Sequence, residues 1–331
     1  MSALLKSHVA NLADRTILVI GDVILDEYIT GRVTRMSREA PVPVLELESK
    51  RYIAGGAANP AANIVALGGR ATQAGIVGED APGEQLRQLL VEQGIEAEGL
   101  LRRAERPTTV KTRILAQMGM RFPQQVTRID TLTRQPIDDE TESLMVDFAS
   151  GKLADVNAVL LSHYHGGLLT PSLVRRIRDL CAAYGVLQTA DVQGNFDVFS
   201  QLDVIKCNAE DAQRYLNRQL ASDEDFNEAA RQLHDRLGIR RATIITRGAA
   251  GATMAANREI THCPAPSVSD VYDTVGAGDT AIATFTLALA AGVDEHDALM
   301  LANYASGIVV RYAGNYAPTP AELIRSIDGE L

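Results

Sequence analysis

The chain has 331 residues, of which 46% are hydrophobic and 22% are charged, a composition typical of a soluble globular protein. Its 32 Lys and Arg against 42 Asp and Glu give a net charge of −10, which argues against nucleic acid or an acidic membrane surface as a partner. No apolar run reaches the about 18 residues of a membrane span. Residues 1–15 lack the apolar core of a secretion signal, so we expect a cytoplasmic protein.

The first predicted element is a strand over residues 16–20 (TILVI), followed directly by Gly21 and Asp22. A continuous apolar, β-branched run is typical of a strand buried on both faces of a parallel sheet. Ligands of open α/β sheets bind at the carboxyl ends of such strands. Asp22 and Asp26 are therefore candidates to hold hydroxyl groups of a ligand, and the spacing fits aspartates that only cap a loop equally well.

Two separate regions contain segments in which apolar and polar residues alternate, namely residues 42–48 (VPVLELE), 109–115 and 125–130. Such alternation predicts strands with one apolar face. We expect them to form a small sheet apart from the main one, inserted as about 28–54 and 108–130. An apolar sheet face needs a cover, so we predict a homodimer formed through this sheet.

Between these strands lies a glycine-rich turn, residues 55–63 (GGAANPAAN), which precedes a predicted helix. Gly55 and Gly56 allow the backbone to approach a ligand closely. The Asn59 amide both donates and accepts hydrogen bonds, which suits recognition of hydroxyl groups. A glycine turn before a helix also occurs in many proteins without any ligand.

After residue 130, strand-like and helix-like segments alternate, as expected of an α/β domain. Four further strands are predicted at residues 158–162, 186–190, 204–208 and 242–246. No repeat of fixed period and no low-complexity linker divides the chain. We therefore predict one doubly wound, mostly parallel α/β domain over residues 1–331, with the small sheet inserted in it.

The last of these strands ends in the turn 246–251 (TRGAAG). Thr246, Gly248 and Gly251 let the backbone of this turn lie against a flat or phosphorylated ligand. Arg247 is able to offer a phosphate two parallel donors. The other interpretation is that Arg247 is an ordinary solvated arginine in a loop.

The strongest chemical signature is residues 273–280 (DTVGAGDT), which run directly into the apolar segment 281–291. A glycine turn that opens into a helix leaves backbone N–H groups unpaired, and these form an anion site. Gly276, Ala277 and Gly278 would present those N–H groups, with Asp279 beside them as a base. A base next to an anion site is typical of phosphoryl transfer. The alternative is that Asp279 is only the N-cap of the helix.

Residues 273–279 (DTVGAGD) resemble the C-terminal signature of the ribokinase-like (PfkB) carbohydrate kinases, and residues 55–59 (GGAAN) resemble their N-terminal signature. The resemblance implies a ribokinase-like fold with a β-sheet lid, ATP and Mg²⁺, and a sugar or sugar phosphate as acceptor. It also implies that Asp279 is the catalytic base. The residues that it places at the sugar are Asp22, Asp26, Gly55, Gly56 and Asn59.

The same resemblance places the nucleotide at the turn 246–251 and at a predicted helix 298–310, through Asn303 and Ser306. Residues 208–211 (NAED) are similar to an Asn-x-x-Glu motif that helps to position Mg²⁺ and the phosphates through water. Asp211 stands where the motif has glutamate, and Glu210 lies one place earlier. Either carboxylate is a candidate for this role.

Asp273 and the loop 311–317 (RYAGNYA) resemble segments that enclose a monovalent cation beside the anion site. The resemblance therefore implies a possible K⁺ site at Asp273. The pair His163 and His165 invites comparison with a metal site, but no third ligand of matching spacing is apparent, so we expect none there.

Within the family, the chain looks most like the kinase domain of bacterial heptose-phosphate kinases, which phosphorylate the anomeric hydroxyl of heptose 7-phosphate. This resemblance rests on residues 21–26 (GDVILD), 37–44 (SREAPVPV) and 55–59. Two lysines of those kinases are missing, because Gly166 and Gln193 stand in their places. If those lysines hold phosphate, the chain either takes another sugar or uses lid arginines. The lid arginines in question are Arg113, Arg121 and Arg128.

Other functions stay open at this point. One is a non-catalytic protein of the same fold that senses a sugar or nucleotide, and another is a kinase for a different sugar or a nucleoside. A nicotinamide-dependent oxidoreductase is a more distant alternative, because no Gly-x-Gly-x-x-Gly follows the first strand.

Overall fold

The computed structural model describes residues 2–119, 123–266 and 271–330. The strands within these residues are β1 (Thr16–Gly21), β2 (Val23–Met36), β3 (Pro43–Gly56), β4 (Arg70–Gly78), β5 (Glu96–Arg103), β6 (Val110–Gln117), β7 (Gln124–Thr131), β8 (Ala158–Ser162), β9 (Leu187–Asp191), β10 (Val204–Asn208), β11 (Ala242–Thr246), β12 (Ala252–Ala256) and β13 (Glu259–Cys263). The helices are α1 (Ser2–Asn11), α2 (Ala58–Ala66), α3 (Ala81–Glu92), α4 (Asp139–Lys152), α5 (Pro171–Tyr184), α6 (Ala209–Leu216), α7 (Asp223–Leu237), α8 (Ala277–Ala290), α9 (Glu295–Val309) and α10 (Pro320–Ile327).

The main sheet has the strand order β13-β12-β11-β10-β9-β8-β1-β4-β5. All neighbours from β11 to β5 are parallel, and β12 and β13 add an antiparallel hairpin at one edge. The chain winds outward from β1 in both directions, which confirms the predicted doubly wound α/β fold. The crevice at the carboxyl ends of β1 and β8 is the place where such sheets bind ligands.

Strand β1 explains how the core is divided between the two faces of the sheet. Ile17 and Val19 pack into the cluster that contains helices α2, α8 and α9, whereas Leu18 and Ile20 pack into the cluster on the side of α4, α5 and α7. Successive side chains of a strand point to opposite faces, so a continuous apolar run is needed where helices cover both. The sequence of β1 is therefore continuously apolar because helices cover both faces of the strand.

The second sheet has the order β3-β2-β6-β7, in which β2 and β6 are parallel and the other pairs are antiparallel. It begins at Val23, earlier than the predicted start near residue 28, because β2 pairs with β3 along its whole length from Val23 opposite Gly56 to Met36 opposite Pro43. Asp22 is therefore the junction between the two sheets. This geometry sets Asp26, on β2, close to the edge of the main sheet.

The three cysteines are all buried and free. Within the described ranges, no helix has the length and hydropathy that a membrane span requires.

Candidate active site

The glycine turn before α8 lies at the carboxyl edge of the main sheet. Gly276 is the N-cap residue, with a φ of +82° that suits glycine, and Asp279 is the third residue of the helix. The interpretation of Asp279 as an N-cap is therefore wrong. No described residue accepts a hydrogen bond from the N–H of Gly278 or Asp279, while the N–H of Ala277 donates to the Thr274 carbonyl over 3.4 Å. The free donors of the turn thus include Asp279 itself, whereas Ala277 is partly engaged.

The Asp279 carboxylate is buried, with 7% of the residue exposed. One oxygen accepts a hydrogen bond of 2.7 Å from the Asn59 amide, and the other accepts one of 2.6 Å from the Tyr164 hydroxyl. Burial and the nearby charge of Asp191 raise the pKa of Asp279 to about 6, against the opposing effects of Tyr164, Lys206 and Asn59. A carboxylate with this pKa is ionised at neutral pH and is still basic enough to take a proton.

Asn59 lies in the first turn of α2, and its amide is directed at Asp279. A second asparagine extends this network, because Asn63 donates to the Asn59 carbonyl over 2.9 Å and accepts from the Thr280 hydroxyl over 2.8 Å. A side chain on Gly276 would meet the Asn59 amide at 2.8 Å. In this structure Asn59 is thus a partner of the predicted base, a role that the sequence analysis did not assign to it.

A buried ion pair lies next to Asp279. The Lys206 ammonium is 2.8 Å from both carboxylate oxygens of Asp191 and 3.2 Å from the Gly278 carbonyl oxygen. A Cβ on Gly278 would lie 2.9 Å from this ammonium. No sequence motif indicates this pair, but one signal is present: Lys206 interrupts the otherwise apolar start of a predicted buried strand.

Asp22 caps the loop that follows β8. Its carboxylate accepts hydrogen bonds of 2.9 Å from the N–H groups of Tyr164 and Gly166, and a longer one of 3.4 Å from Leu168. The loop-capping interpretation of Asp22 therefore describes this structure. A Cβ on Gly166 would lie 2.6 Å from the carboxylate, so any other residue at this position would require the Asp22 side chain to move. A φ of +58° at Gly56, whose Cβ would meet the Asp22 carbonyl at 2.4 Å, likewise requires glycine.

A cavity of about 380 Å³ lies between the second sheet and this loop. Most of the residues that line it have polar or charged side chains. They are Asp22, Ile24, Thr109, Lys111, Arg128, Asp130, Leu132, Thr133, Arg134, Tyr164, His165 and Gly166. No described residue accepts a hydrogen bond from the side chain of Lys111 or Arg134. Burial lowers the pKa of Lys111, because the buried ammonium charge is poorly solvated. A bound anion would stabilise this charge. Lys111 and Arg134 were both missed by the sequence analysis, in which no motif marked them.

The three lid arginines of the sequence analysis have different surroundings. Arg113 forms an ion pair with Asp26 and does not line the cavity. Arg128 lines the cavity but is paired with Asp130 through two hydrogen bonds of 2.8 and 2.9 Å. Arg121 lies outside the described residues. Gly55 is needed where it is, because a Cβ there would lie 2.1 Å from an oxygen of Asp26.

The asparagine motif opens α6. Asn208 is the N-cap: its side-chain oxygen accepts from the Asp211 N–H over 2.7 Å, and its amide donates to the Asp211 carboxylate over 2.8 Å. Burial raises the pKa of Asp211. Glu210 points to solvent and forms a 2.6 Å ion pair with Arg214. Of the two candidate carboxylates, Asp211 is the one turned towards the protein.

Arg247, in the turn after β11, has several partners within the protein. Its guanidinium donates to Asp223 over 2.6 Å and to Thr253 over 3.2 Å, and it stacks 4.1 Å above the Phe226 ring. Arg247 is largely buried in these contacts, so it is not a solvated loop arginine, and its contact with a phosphate stays a prediction. The turn itself, with Thr246, has the expected left-handed glycines, Gly248 at a φ of +58° and Gly251 at +86°.

Helix α9 carries the two residues predicted for the nucleotide. The Asn303 amide donates to the Cys263 carbonyl over 2.8 Å, and the Ser306 hydroxyl donates to the Ala277 carbonyl over 2.9 Å. Ser306 thus ties α9 to the first turn of α8. Both side chains have protein partners near the predicted nucleotide side.

Asp273 joins the anion-site turn to the loop 311–317. Its carboxylate accepts 3.0 Å hydrogen bonds from the N–H groups of Val275 and Gly314. The loop also reaches the second sheet, because Asn315 donates to the Ala54 carbonyl over 3.3 Å. The segments predicted for a monovalent cation are therefore in contact.

The two histidines form a ring pair with centroids 4.4 Å apart. Burial and the neighbouring His165 lower the pKa of His163 to about 4, so its ring is neutral at pH 7. The one group of three metal-ligating side chains among residues 2–119, 123–266 and 271–330 is Asp294, His296 and Asp297, which does not include this pair.

A family model described as "pfkB family carbohydrate kinase" matches residues 14–322. The chain belongs to the pfkB family of carbohydrate kinases. Among curated relatives, it is 38% identical over 314 residues to the bifunctional protein HldE of Caulobacter vibrioides, covering 94% of this chain and 63% of that protein. It is 34% identical to the bifunctional protein HldE of Helicobacter pylori, covering 91% of this chain and 64% of that protein. The chain thus spans less than two thirds of the length of these relatives.

Solved structures of lower identity share the fold of this pfkB family member. Ribokinase of Arabidopsis thaliana, complexed with ribose and ATP, has a TM-score of 0.73 at 18% identity, covering 95% of this chain and 99% of that one. Phosphofructokinase-2 of Escherichia coli, in complex with potassium, has a TM-score of 0.76 at 16% identity, covering 96% and 99%. These similarities establish the ribokinase-like fold.

Proposed function

We propose that this protein transfers the γ-phosphoryl group of ATP to a hydroxyl of a sugar bound in the cavity between the two sheets. The observation that carries the proposal is the buried Asp279 carboxylate at the start of α8, beside free backbone N–H groups and next to the cavity wall formed by Tyr164. Membership of the pfkB family supports the same reaction.

In the proposed reaction, the acceptor hydroxyl gives its proton to Asp279 while its oxygen forms a bond to the γ-phosphorus. The bond between that phosphorus and the bridging oxygen of ADP breaks, and ADP leaves. Backbone donors of Gly278 and Asp279 stabilise the charge on the transferred group. The Lys206 ammonium, 3.2 Å from the Gly278 carbonyl oxygen, adds positive charge beneath the turn.

ATP is proposed to bind along the carboxyl edge from Asn208 to the turn at Gly248 and Gly251. The donor set there fits hydrated Mg²⁺, which needs only one or two carboxylates and keeps several waters. We assign this role to Asp211, because it is buried whereas Glu210 is exposed; Arg214 contacts both carboxylates. When bound, the ion would offset the charge of the phosphates. Potassium at Asp273 stays a prediction.

The acceptor is proposed to carry a phosphate already, as heptose 7-phosphate does. Lys111 and Arg134 support this assignment, because both are cations on the cavity wall and neither has a hydrogen-bond acceptor among the described residues. They would take the place of the two lysines replaced by Gly166 and Gln193. Cations on a cavity wall that lack a hydrogen-bond acceptor favour binding of an anion.

We expect Lys111→Met to raise the KM for a phosphorylated acceptor by about 10- to 100-fold, since a hydrogen bond to a charged group contributes about 1.5–3 kcal/mol. The KM for ATP should change little. Steady-state kinetics with each substrate varied in turn measures both constants. Lys152→Met, which removes a surface lysine 3.0 Å from Glu98, is the matched control. An unchanged acceptor KM would exclude Lys111 from the acceptor site.

The proposed activity is tested by ADP release from Mg-ATP across a panel of acceptors, in potassium and in sodium buffer. The panel includes heptose 7-phosphate, fructose phosphates, ribose and nucleosides. Turnover with one acceptor would establish the kinase and its substrate. If no acceptor gives turnover while calorimetry detects binding of ATP or a sugar, the non-catalytic sensing protein becomes the better assignment.

A homodimer through the second sheet is also proposed. Large apolar side chains on this sheet and its turns are between 49% and 69% exposed, namely Met36, Val42, Leu47, Met118, Val126 and Ile129. Several exposed apolar residues on one small sheet are typical of a protein–protein interface. A second copy of the chain would cover them.

We expect the double substitution Leu47→Glu and Ile129→Glu to weaken the dimer by at least about 30-fold, because apolar anchors of an interface each contribute about 2 kcal/mol or more. Analytical ultracentrifugation across a concentration series measures this shift. Val91→Glu with Leu144→Glu, at exposed positions on α3 and α4, is the matched control. A monomeric unaltered protein, or a dimer indifferent to both substitutions, would contradict the proposed interface.

A further inference from the structure

Tyr164 connects the cavity to the buried carboxylate. Its ring lines the cavity, 5.6 Å from the Lys111 ammonium, and its hydroxyl donates to Asp279 over 2.6 Å. Its backbone N–H donates to Asp22 over 2.9 Å, which fixes the start of the loop. Tyr164 is therefore held both through its backbone N–H and through its hydroxyl.

We propose that Tyr164 is a positioning residue for phosphoryl transfer: its hydroxyl holds Asp279 in the ionised form that accepts the acceptor's proton. The inference rests on the proposed kinase function, and it assigns to Tyr164 a role that neither signature motif includes. Asn59 and Tyr164 donate to different oxygens of the carboxylate. The two hydrogen bonds fix the plane of the carboxylate and leave further lone pairs for the acceptor hydroxyl.

The charges around Asp279 explain why such a donor is needed. Burial and the charge of Asp191 at the end of β9 favour the protonated, inactive form. Lys206 on β10 and the hydrogen bonds from Tyr164 and Asn59 favour the ionised form, and the pKa of Asp279 that results is about 6. Burial and the neighbouring carboxylates raise the pKa of Tyr164 itself, so the phenol keeps its proton and remains a donor.

Two further charged groups face this pair, Asp26 on β2 and Lys111 on β6, whose ammonium lies 5.6 Å from the Tyr164 ring. Together with Asp279 and Asp191, Asp26 raises the pKa of Tyr164. Asp26 is neutralised in turn by its ion pair with Arg113. Within the described residues, Tyr164 and Asn59 are thus the two neutral donors that stabilise the Asp279 anion directly.

The test is the pH dependence of kcat for Tyr164→Phe, which keeps the ring and removes only the hydroxyl. Losing a donor to the anion raises the pKa of Asp279, so the acid limb of the profile should move up by about one to two units. The loss of activity should then be about 5- to 50-fold near pH 6, where the unaltered carboxyl is half ionised, and shrink towards pH 9. Tyr215→Phe removes a comparable hydroxyl, 2.6 Å from Asp197 on the surface, and should leave the profile unchanged.

A loss of equal size at every pH would overturn the inference, since a merely structural tyrosine gives that result. An unshifted profile with normal kcat would overturn it as well. If the unaltered protein phosphorylates no acceptor, the kinase proposal fails instead. The pKa of the Asp279 carboxyl can then be measured without turnover, by a ¹³C NMR titration of protein labelled at its aspartates. The Asp279→Asn variant identifies which resonance belongs to Asp279.

The unaltered protein provides a second measurement that does not depend on the folding of a variant. The ¹³Cζ resonance of Tyr164 should titrate together with the Asp279 carboxyl, because the two groups share one hydrogen bond. Independent titration of the two groups would overturn the inference.

Discussion

Asp279→Asn is expected to lower kcat by about 10²- to 10⁴-fold, the usual contribution of a general base. An amide keeps the size of the carboxylate but cannot accept the acceptor's proton. Asn59 and Tyr164 both donate to Asp279, so an asparagine satisfies only one of them through its oxygen. Stopped-flow or steady-state kinetics at saturating substrates measures the loss.

Binding must be measured beside turnover to interpret this variant. Calorimetric titration with ATP should give an affinity close to that of the unaltered protein, because the backbone donors of the turn are unchanged. Asp297→Asn is the matched control: Asp297 is also buried and also the third residue of its helix, α9. Near-normal turnover of Asp279→Asn would remove Asp279 as the base.

Lys206→Met is expected to destabilise the fold by about 3–5 kcal/mol, the usual effect of removing one partner of a buried ion pair. The substitution leaves the Asp191 carboxylate without its counter-charge, at 3% exposure. Denaturant unfolding at neutral pH measures the free energy of unfolding.

Two further variants make the result specific to the buried pair. Lys206→Met combined with Asp191→Asn should recover part of the lost stability, because no charge is left uncompensated. Lys6→Met removes a surface ion pair of 2.8 Å with Asp328 and should change stability little, because water screens exposed ion pairs. Equal losses of stability for Lys206→Met and Lys6→Met would mean that the Asp191–Lys206 pair adds nothing beyond an ordinary surface contact.

Local sequence patterns identified β1 and β8 to β11 of the 9-stranded main sheet, whereas β4, β5, β12 and β13 were not predicted. The predicted strand at residues 204–208 is β10, and the one at 186–190 is shifted by one residue to Leu187–Asp191. A strand covered on both faces needs a continuous apolar run, and that run is visible in the sequence whatever the strand's neighbours are. The start of the second sheet at Val23 was less visible, because β2 shares the apolar character of β1 before it begins to alternate.

Site residues were predictable where one short segment contains both the glycine turn and the reactive side chain. The turn 273–280 is such a segment, because Gly276 and Asp279 lie on a single helix start. Arg247 shows the limit of this reasoning. Its position after β11 suited a phosphate, but Asp223 and Phe226 from α7 surround its guanidinium, and nothing near Arg247 in the sequence indicates them.

The sequence by itself thus determined the doubly wound fold, the family, and Asp279 beside a glycine turn. The tertiary structure alone decided which side chains surround that carboxylate. Asn59 lies 220 residues from Asp279 and Tyr164 lies 115 residues from it, and Lys206 meets Asp191 because β10 pairs with β9. Periodicity specifies which face of an element is buried, whereas strand order and register specify which distant residues meet there.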